Sequence, residues 1–547
     1  MELVKSKYYW WNNWAGMAII ILLVIALPVF TIVWKLFDSP GETWTHLVDT
    51  LLWDYSKNTL LLLLGTALFS AIIGVTAAWF IANYEFPLRK YFEWLLILPL
   101  AVPAYIMAYT YAGMLSYTGP IQTFFRNQLG WNTSGPFLDI MNIPGAMFIL
   151  GISLFPYVYV MARSSFMQQS RNLQEASYLL GMGSFRTFFK VALPMARPAI
   201  AGGLSLIAME VLNDYGTVKY FGVNTFTTGI FRAWFSLGDA GAAIYLSAIL
   251  TVVVFALLWL ETKQRGEASY TQGSNAPKPF VRKALIGWKK WTVLSFLISL
   301  FLVAFGFPIA QILAWVWATF HKVVTADFIQ IILRSFSLAV GTGLFIVCFA
   351  IIMLYAVRLT KVKWLQTVSK LAVLGYAIPG AVIAVGIFIP LLQLDNVIID
   401  VFKSLSFASP GLLFSGSVFT LIFAYIVRFL AVGFNPIDAG FQKVGRHVNE
   451  ASRLLGFSDT KTLFKIDLPL IRNSIFSALL LVFVDVLKEL PLTLILRPFN
   501  FQTLATKAFD MATNEMIAES ANASLIIIMT GIIPVILLNR IIRTRKA

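Results

Sequence analysis

Charge is scarce in this sequence. Only 12% of its 547 residues are Asp, Glu, Lys or Arg, whereas 59% are apolar, and the mean hydropathy is +0.78. Soluble domains carry about 25% charged residues, so the composition excludes an ordinary soluble protein and indicates a polytopic membrane protein. The net charge of +16 is typical of a membrane-orientation signal rather than of a nucleic-acid footprint, and no nucleic-acid partner is expected.

Residues for metal binding and covalent chemistry are equally rare. Cys348 is the single cysteine, and the three histidines (46, 321 and 447) have no ligand spacing. This excludes a disulfide scaffold and a thiolate metal site, so no stable metal site and no catalytic residue are expected. The chain has no G-x-x-x-x-G-K-[ST] motif for ATP. A polytopic enzyme is the least favoured class, because no nucleophile–base arrangement is visible.

Long apolar segments fill the chain instead. A transmembrane helix needs roughly 20 mostly apolar residues, and twelve segments meet that requirement. They are 15–37, 57–84, 92–117, 143–163, 195–216, 240–262, 291–318, 332–357, 366–394, 412–433, 474–496 and 522–540. The sequence therefore predicts an all-α polytopic membrane protein with about 12 transmembrane helices, and a lipid bilayer as its surroundings.

The distribution of Lys and Arg predicts the orientation. With the N-terminus inside, the alternate segments facing the cytoplasm hold 31 of the 42 basic residues. The residues 428–472 are counted among them, which places Arg428 near the cytoplasmic end of its span. A bias that recurs in loop after loop is the positive-inside pattern. Both termini are therefore expected in the cytoplasm.

The chain contains an internal duplication. EASYLLGMGSFRTFFKVALPMAR (175–197) aligns without gaps on EASRLLGFSDTKTLFKIDLPLIR (450–472), a shift of 275 residues. The division predicted from this repeat is a first half at 1–262, a cytoplasmic linker at 263–290 and a second half at 291–547. Because each half has six spans, both have the same topology, and their pseudo-twofold axis runs along the membrane normal.

The repeated loops, at about 168–194 and 443–469, lie on the cytoplasmic side. Gly181 and Gly456 permit a turn between two short helices in each loop, and Pro194 and Pro469 lie at the first turn of the next span. One copy alone would fit an amphipathic helix on the membrane surface. Two copies on one side of a duplicated pore indicate paired sockets for a twofold-related partner.

The pattern E-A-[AS]-x-x-x-G with a later L-P resembles the EAA loop of permease subunits of binding-protein-dependent ABC importers. In that family this loop is the coupling helix, inserted in a groove of the cytoplasmic ATPase subunit. The resemblance implies a type I importer fold and ATPase-coupling roles for Glu175, Ala176, Gly181, Phe189, Pro194, Glu450, Ala451, Gly456, Phe464 and Pro469. Ser177 and Ser452 stand where Ala is commoner, with little expected consequence.

The same resemblance implies the partners and the location. Two ATP-binding subunits on the cytoplasmic side would bind ATP and Mg²⁺, and an extracytoplasmic binding protein would deliver the cargo. The chain itself would need no cofactor. It would be a multi-pass protein of the bacterial inner membrane.

The cargo is indicated by two further segments. Residues 210–239 and 485–506 resemble the ferric-iron permeases of the periplasmic-binding-protein type, which implies Fe³⁺ as the transported substrate. Thiamine permeases share the fused twelve-span layout and remain an alternative. An autonomous secondary transporter, which can also have two parallel six-helix halves, is the alternative from another class, although it would not need two EAA loops.

The fifth span of each half contains two acids. They are Glu210 and Asp214 in one half and Asp485 and Glu489 in the other. The spacing i, i+4 predicts that each pair shares one helix face. Carboxylates at this depth are expected to face the bundle interior or a cavity, where they would attract a highly charged cation transiently. The alternative is structural pairing, for example of Lys488 with an acid from another helix.

Two prolines are predicted to bend the third span of each half. Pro103 and Pro379 fall at the middle of their apolar segments. A proline inside a helix removes one hydrogen bond and kinks the helix, so each span is expected to continue through a kink, which would suit either a gate or packing alone.

Overall fold

The computed structural model describes residues 13–130, 139–169, 177, 179, 181–265, 282–360, 364, 365, 367, 369, 373–405, 407–445 and 447–544. These residues are almost entirely helical. The only strands among them are β1 (Tyr84–Glu85) and β2 (Lys283–Ala284), which pair in parallel. This short pair ties the end of the predicted linker 263–290 to the loop after the second span.

The described residues of the first part of the chain form twelve α-helices. They are α1 (Asn13–Lys35), α2 (Glu42–Thr50), α3 (Leu52–Asn83), α4 (Arg89–Leu95), α5 (Ala104–Leu115), α6 (Pro120–Leu129), α7 (Ile143–Gln168), α8 (Ser184–Thr187), α9 (Leu193–Asn213), α10 (Gly216–Tyr220), α11 (Phe226–Phe231) and α12 (Ala240–Arg265). A 3₁₀ helix (Leu98–Ala101) precedes α5, and π-helical turns (Phe188–Ala192, Arg232–Ser236) follow α8 and α11.

The second part repeats much of this order. Its helices are α13 (Trp288–Phe301), α14 (Phe307–Val323), α15 (Ala326–Thr360), α16 (Gly380–Ser404), α17 (Val418–Val444), α18 (His447–Leu454), α19 (Asp459–Thr462), α20 (Leu468–Leu470), α21 (Arg472–Lys488), α22 (Pro491–Leu496), α23 (Leu504–Thr513) and α24 (Ile517–Thr544). A 3₁₀ helix (Val373–Ala377) precedes α16, and π-helical turns (Leu302–Gly306, Leu463–Asp467) follow α13 and α19.

Ten helices among the described residues are long and apolar enough to cross a membrane. Two bent helix pairs raise the number to twelve if each pair is one span, namely Arg89–Ala101 with Ala104–Leu129 and Asp459–Leu470 with Arg472–Lys488. They coincide with the predicted spans 92–117 and 474–496. The predicted all-α class with about 12 spans is confirmed.

The prediction that Pro103 and Pro379 kink continuous helices was wrong. Each is the residue before an α-helix, with φ −56° and ψ 142°, and each follows a 3₁₀ segment. Because the residue before a proline is pushed away from the α region, the chain leaves the helix here and restarts after the ring. In the ninth span the chain accordingly restarts as an α-helix at Gly380, directly after Pro379.

The described chain divides into two compact units that do not coincide with the sequence halves. The first-half unit comprises Val48–Gly229, Val252–Val323 and Ala508–Ala547. The second-half unit comprises Met1–Leu47, Ile230–Thr251 and Val324–Lys507. The N-terminal helix α1 thus packs on α15 and α16 of the second-half unit, and α14 packs on α24 in the first-half unit. Hydropathy identifies helices but not their neighbours.

Each unit is built on three helices in matching positions. In the first-half unit α7 packs against α3 and α9, and in the second-half unit α17 packs against α15 and α21. A Cβ on Gly74 of α3 would lie 3.0 Å from the Phe155 carbonyl oxygen, and one on Gly203 of α9 would lie 2.8 Å from Val158 Cα. Glycine at these points lets both helices approach α7 closely, as small residues do in membrane bundles.

Candidate functional site

The second repeated loop is a helix–turn–helix closed by a Schellman motif. Gly456 has φ +81°, its N–H donates to the Arg453 carbonyl (3.0 Å), and the Phe457 N–H donates to the Ser452 carbonyl (3.1 Å). These are the two hydrogen bonds that satisfy the last carbonyls of a helix when the next residue is left-handed. The predicted turn between two short helices is confirmed here.

The first repeated loop makes the same turn. Gly181 has φ +76°, and the Met182 N–H donates to the Ser177 carbonyl at 3.0 Å. The predicted coupling residues Glu175 and Ala176 lie outside the described residues. The glycines are needed because side chains with a Cβ are disfavoured at such φ values, whereas no atom lies within 4 Å of a Cβ built on either one.

A buried pair of hydroxyls joins the two arms of each loop. Ser177 Oγ lies 3.0 Å from Thr187 Oγ1, and Ser452 Oγ lies 2.6 Å from Thr462 Oγ1. Both pairs obey the shift of 275 residues, and all four side chains are buried. Little consequence was expected of these serines, but alanine could not make this hydrogen bond. The repeated Ser and Thr, ten residues apart, were the available signal.

Removing one hydroxyl should loosen the turn. In S452A the Thr462 hydroxyl keeps its hydrogen bond to the Ser458 carbonyl (3.0 Å) but loses the one to Ser452, at a cost of about 0.5–1.5 kcal/mol. Hydrogen exchange of the amides at 452–457 should become faster in S452A. The double variant S452A/T462V also removes the hydrogen bond from Thr462 to the Ser458 carbonyl, so its amides should exchange at least as fast as those of S452A. Equal exchange in wild type and S452A would contradict this account.

The other predicted coupling residues lie on the surface. Gly181, Phe189, Pro194, Glu450, Ala451, Gly456, Phe464 and Pro469 are all exposed. So are the neighbouring Leu179, Phe185, Leu454 and Leu455, of which Leu179 and Leu454 are 89% and 90% exposed. Exposed apolar side chains that cluster on one loop are typical of a protein interaction site.

A π-helical turn precedes the proline that is repeated in the two loops. Phe188–Ala192 and Leu463–Asp467 are related by the same shift of 275, and Pro194 and Pro469 follow at the first turn of the next helix. The predicted first-turn position is confirmed for Pro194, at the start of α9, whereas Pro469 lies in the short helix α20, which ends before α21 begins at Arg472. A π-turn interrupts the regular i→i−4 pattern, so it accommodates a proline that can donate no hydrogen bond.

The second loop is anchored by polar contacts. From α15, the Tyr355 hydroxyl donates to the Asp459 carbonyl (2.6 Å) and Arg358 Nε donates to Asn449 Oδ1 (2.7 Å). Asn449 Nδ2 in turn donates to the buried Asp467 (2.9 Å). Charged hydrogen bonds among buried groups fix the loop on its own unit.

The first loop is anchored by aromatic packing instead. The ring of Trp79, on α3, lies 5.0 Å from the ring of Phe188 and 5.3 Å from that of Phe166. Gln169 adds one hydrogen bond to the Ala192 carbonyl (2.9 Å). Edge-on aromatic pairs of this kind stabilise by about 0.5–1.5 kcal/mol beyond their buried area.

The predicted acids do not share one continuous helix face. α9 ends at Asn213 and α21 ends at Lys488, so Asp214 and Glu489 are the residues after the helix, with φ −66°, ψ 126° and φ −71°, ψ 127°. The prediction of paired acids at i, i+4 on one face was wrong for this reason. Both breaks fall inside the predicted spans 195–216 and 474–496, so the span prediction did not reveal them.

Asp214 and Glu489 each accept hydrogen bonds from the short helix that follows. Asp214 receives the Thr217 hydroxyl (2.9 Å) and the Val218 N–H (3.1 Å). Glu489 receives the N–H groups of Leu492 (2.9 Å) and Thr493 (3.0 Å). Free N–H groups at a helix start favour an acidic acceptor, so these two acids stabilise the restart of the chain after each break.

The capping role of Asp214 can be measured. D214A should lower the free energy of unfolding by about 1 kcal/mol, the usual cost of losing a side-chain cap. D214N, which keeps one acceptor oxygen, should cost less. Thermal unfolding of the purified protein in detergent would compare the two. An unfolding temperature of D214A at or above that of D214N would overturn the assignment.

The two remaining acids have weaker or local partners. Glu210 Oε1 accepts from the Tyr157 hydroxyl at 3.4 Å. Asp485 Oδ1 lies 2.7 Å from Lys488 Nζ on its own helix. Within the described residues, no group of three or more His, Cys, Asp or Glu side chains is placed to hold a metal ion.

Part of this sequence matches a known family of transport proteins. Residues 70–265 match the family described as "Binding-protein-dependent transport system inner membrane component". The chain carries a permease domain of this family. The matched range contains the first repeated loop, and the second loop relates to it by the internal duplication. The family consists of transport permease subunits rather than enzymes, and ATP hydrolysis belongs to separate ABC partners.

Named relatives cover most of the chain. The Fe(3+)-transport system permease protein FbpB 2 of Haemophilus influenzae is 25% identical over 489 residues, 88% of this chain and 89% of that protein. The putative ferric transport system permease protein FbpB 1 of the same organism is 22% identical over 86% of this chain and 76% of its own length. A probable sulfate transport system permease protein cysT of Nephroselmis olivacea is 25% identical over 48% of this chain and 93% of its own length. The matched family and the long apolar helices together indicate a multi-pass membrane permease of the binding-protein-dependent transport type.

Proposed function

We propose that this permease moves ferric iron across the bacterial inner membrane, driven by ATP hydrolysis in two partner subunits. Two halves, 1–262 and 291–547, joined by the cytoplasmic linker 263–290, would each contribute one coupling loop. The observation that carries the mechanism is the matched, exposed turn at Gly181 and Gly456, closed by the same hydrogen bond in both copies.

The proposed coupling gives each ATPase subunit one loop. Exposed Phe189 and Phe464, with Glu175, Ala176, Glu450 and Ala451, would enter the groove of the ATPase. ATP-driven approach of the two subunits would pull the loops together and open the outer mouth, and their separation would open the inner one. The two states differ in their loop contacts, as coupling requires. Both termini and both loops would then lie in the cytoplasm.

Ferric iron as cargo is supported by the relatives and by charge. Permeases named for Fe(3+) or ferric transport align with over 85% of the chain, whereas the sulfate permease aligns with about half. The fifth span of each half also carries acids, which suit a cation better than an oxyanion. An extracytoplasmic iron-binding protein would deliver the ion, and no cofactor would reside in this chain.

The four acids would have two different roles along the translocation path. Glu210 and Asp485 would attract the cation transiently, since a conducting site must also release its ion. Asp214 and Glu489 would hold the helix breaks beside them through the hydrogen bonds described above. An autonomous secondary transporter finds no support in the two loops, which such a carrier would not need.

Reconstitution would test the proposal. Vesicles containing the permease, its ATPase subunits and its binding protein should show ATP hydrolysis that rises when the binding protein is loaded with Fe³⁺. The same vesicles with thiamine and a thiamine-binding protein should stay at the basal rate. Stimulation by thiamine alone, or iron uptake without the ATPase subunits, would contradict the proposed function.

A further inference from the structure

A buried arginine, Arg428, lies inside the second-half unit, outside both repeated loops. Arg428 is the eleventh of the 27 residues of α17, and its side chain is 6% exposed. It therefore lies within the helix, well before its end at Val444. Charged residues inside a membrane-spanning helix are costly and are retained where they serve a function.

Arg428 contacts one helix break of its unit and lies close to the other. Its Nη1 donates to the carbonyl of Ile378 (3.3 Å), directly before the break at Pro379. A Cβ on Gly380 would lie 2.9 Å from Arg428 Nη1 and 2.9 Å from Glu489 Oε1. The guanidinium and the carboxylate thus flank the same glycine, within the distance at which opposite charges stabilise each other.

The first-half unit has both breaks but lacks the arginine. The helices α7 and α17 begin at Ile143 and Val418, which confirms the shift of 275. Ser153 therefore occupies the position that corresponds to Arg428. Ala104 follows Pro103 where Gly380 follows Pro379. Ser153 is buried, and its hydroxyl has no hydrogen-bond partner among the described residues. Asp214 forms no ion pair with any of the described residues. These two differences between the units fit together. Gly380 has no side chain, which leaves room for the Arg428 side chain, whereas the smaller Ser153 needs no such room.

We propose that Arg428 is a positioning residue for transport that clamps the break at Pro379 to the break at Glu489 and compensates the charge of Glu489. The inference rests on the proposed function. In the second-half unit the two breaks move as one body during the cycle. In the first-half unit the corresponding breaks are held separately, and the charge of Asp214 is uncompensated by a neighbouring arginine.

Charge removal in pairs tests the clamp. R428Q leaves Glu489 buried without its counter-charge, so iron uptake should fall at least tenfold and the ratio of stimulated to basal ATP hydrolysis should fall with it. E489Q should have a similar effect, because it strands the guanidinium. The double variant R428Q/E489Q keeps one oxygen for the cap and removes both charges, so it should recover at least fivefold over R428Q. R428K should be intermediate, and S153A, the matched change in the other half, should stay within twofold of wild type.

The outcomes separate this proposal from the proposed function. Absence of iron uptake by wild-type vesicles would contradict the proposed function, whereas the ATP hydrolysis ratio tests the clamp whatever the cargo. Amounts of each variant in the membrane and its co-purification with the ATPase report folding. If R428Q does not accumulate, recovery of membrane amounts in the double variant supports the charge pair. A double variant as defective as the worse single variant, in uptake or in accumulation, would overturn the clamp.

Discussion

The double variant G181V/G456V is expected to lose ATP-driven uptake by roughly 30-fold or more while still entering the membrane. Both glycines have positive φ, and a side chain with a Cβ costs about 1–2 kcal/mol in this region. Two loops together lose about 2–4 kcal/mol, and each 1.4 kcal/mol is a factor of ten. The measurement is binding-protein-stimulated ATP hydrolysis and uptake in the same vesicles.

A neighbouring glycine provides the matched control. Gly183 follows Gly181 by two residues, has φ −69°, and has no atom within 4 Å of a Cβ built on it. G183V adds the same side chain to the same exposed loop without the backbone strain, so it should keep uptake within a few fold of wild type. If G183V fails as G181V does, the loss comes from bulk at the ATPase contact rather than from the turn. Loss of membrane insertion in G181V/G456V would assign the glycines to folding.

Neutralising Glu210 and Asp485 together is expected to reduce iron uptake at least tenfold. Unit charges 4 Å apart interact by about 4 kcal/mol at an effective dielectric constant of 20, and even a fraction of this value for each carboxylate reaches a tenfold effect on a trivalent ion. The variant E210Q/D485N should retain its assembly with the ATPase, because neither residue lies in a coupling loop. Initial rates of iron uptake at several iron concentrations would measure the loss.

Lys488 separates a path role from a pairing role for Asp485. If Asp485 only neutralises Lys488, to which it is paired at 2.7 Å, then D485N/K488Q should transport like wild type. The cation-path account expects D485N/K488Q to remain below wild type, because the carboxylate that attracts the ion is absent. Full uptake in E210Q/D485N would refute the path outright.

The helices and the repeated loops were predictable because their signals are local. A run of apolar residues specifies a membrane helix whatever surrounds it, and the glycine turn shows in the 275-residue repeat at Gly181 and Gly456. The breaks after Asn213 and Lys488 were not predictable in the same way. Both breaks lie inside segments that are apolar enough to count as one span, and a capping carboxylate together with the following short helix decides where the chain turns.

Long-range contacts were the part beyond sequence reasoning. The contacts of Arg358 with Asn449 and of Arg428 with Ile378 join residues 91 and 50 positions apart, and no periodicity reports them. The placement of α1 in the second-half unit has the same cause, because an apolar face does not specify its neighbour. Pro103 and Pro379 were recognised as interruptions, but a kink and a full break look alike in one sequence.

Site-specific crosslinking tests the central claim most directly. In the purified complex, a photoreactive residue at Leu179 or at Leu454, the most exposed large apolar side chains of the two loops, should crosslink to an ATPase subunit. One at Leu68, an exposed side chain of α3, should not. Crosslinks from both loops, each to one ATPase copy and altered by ATP, are the expected result. An assembled, ATP-hydrolysing complex in which neither loop crosslinks to the ATPase would contradict the account.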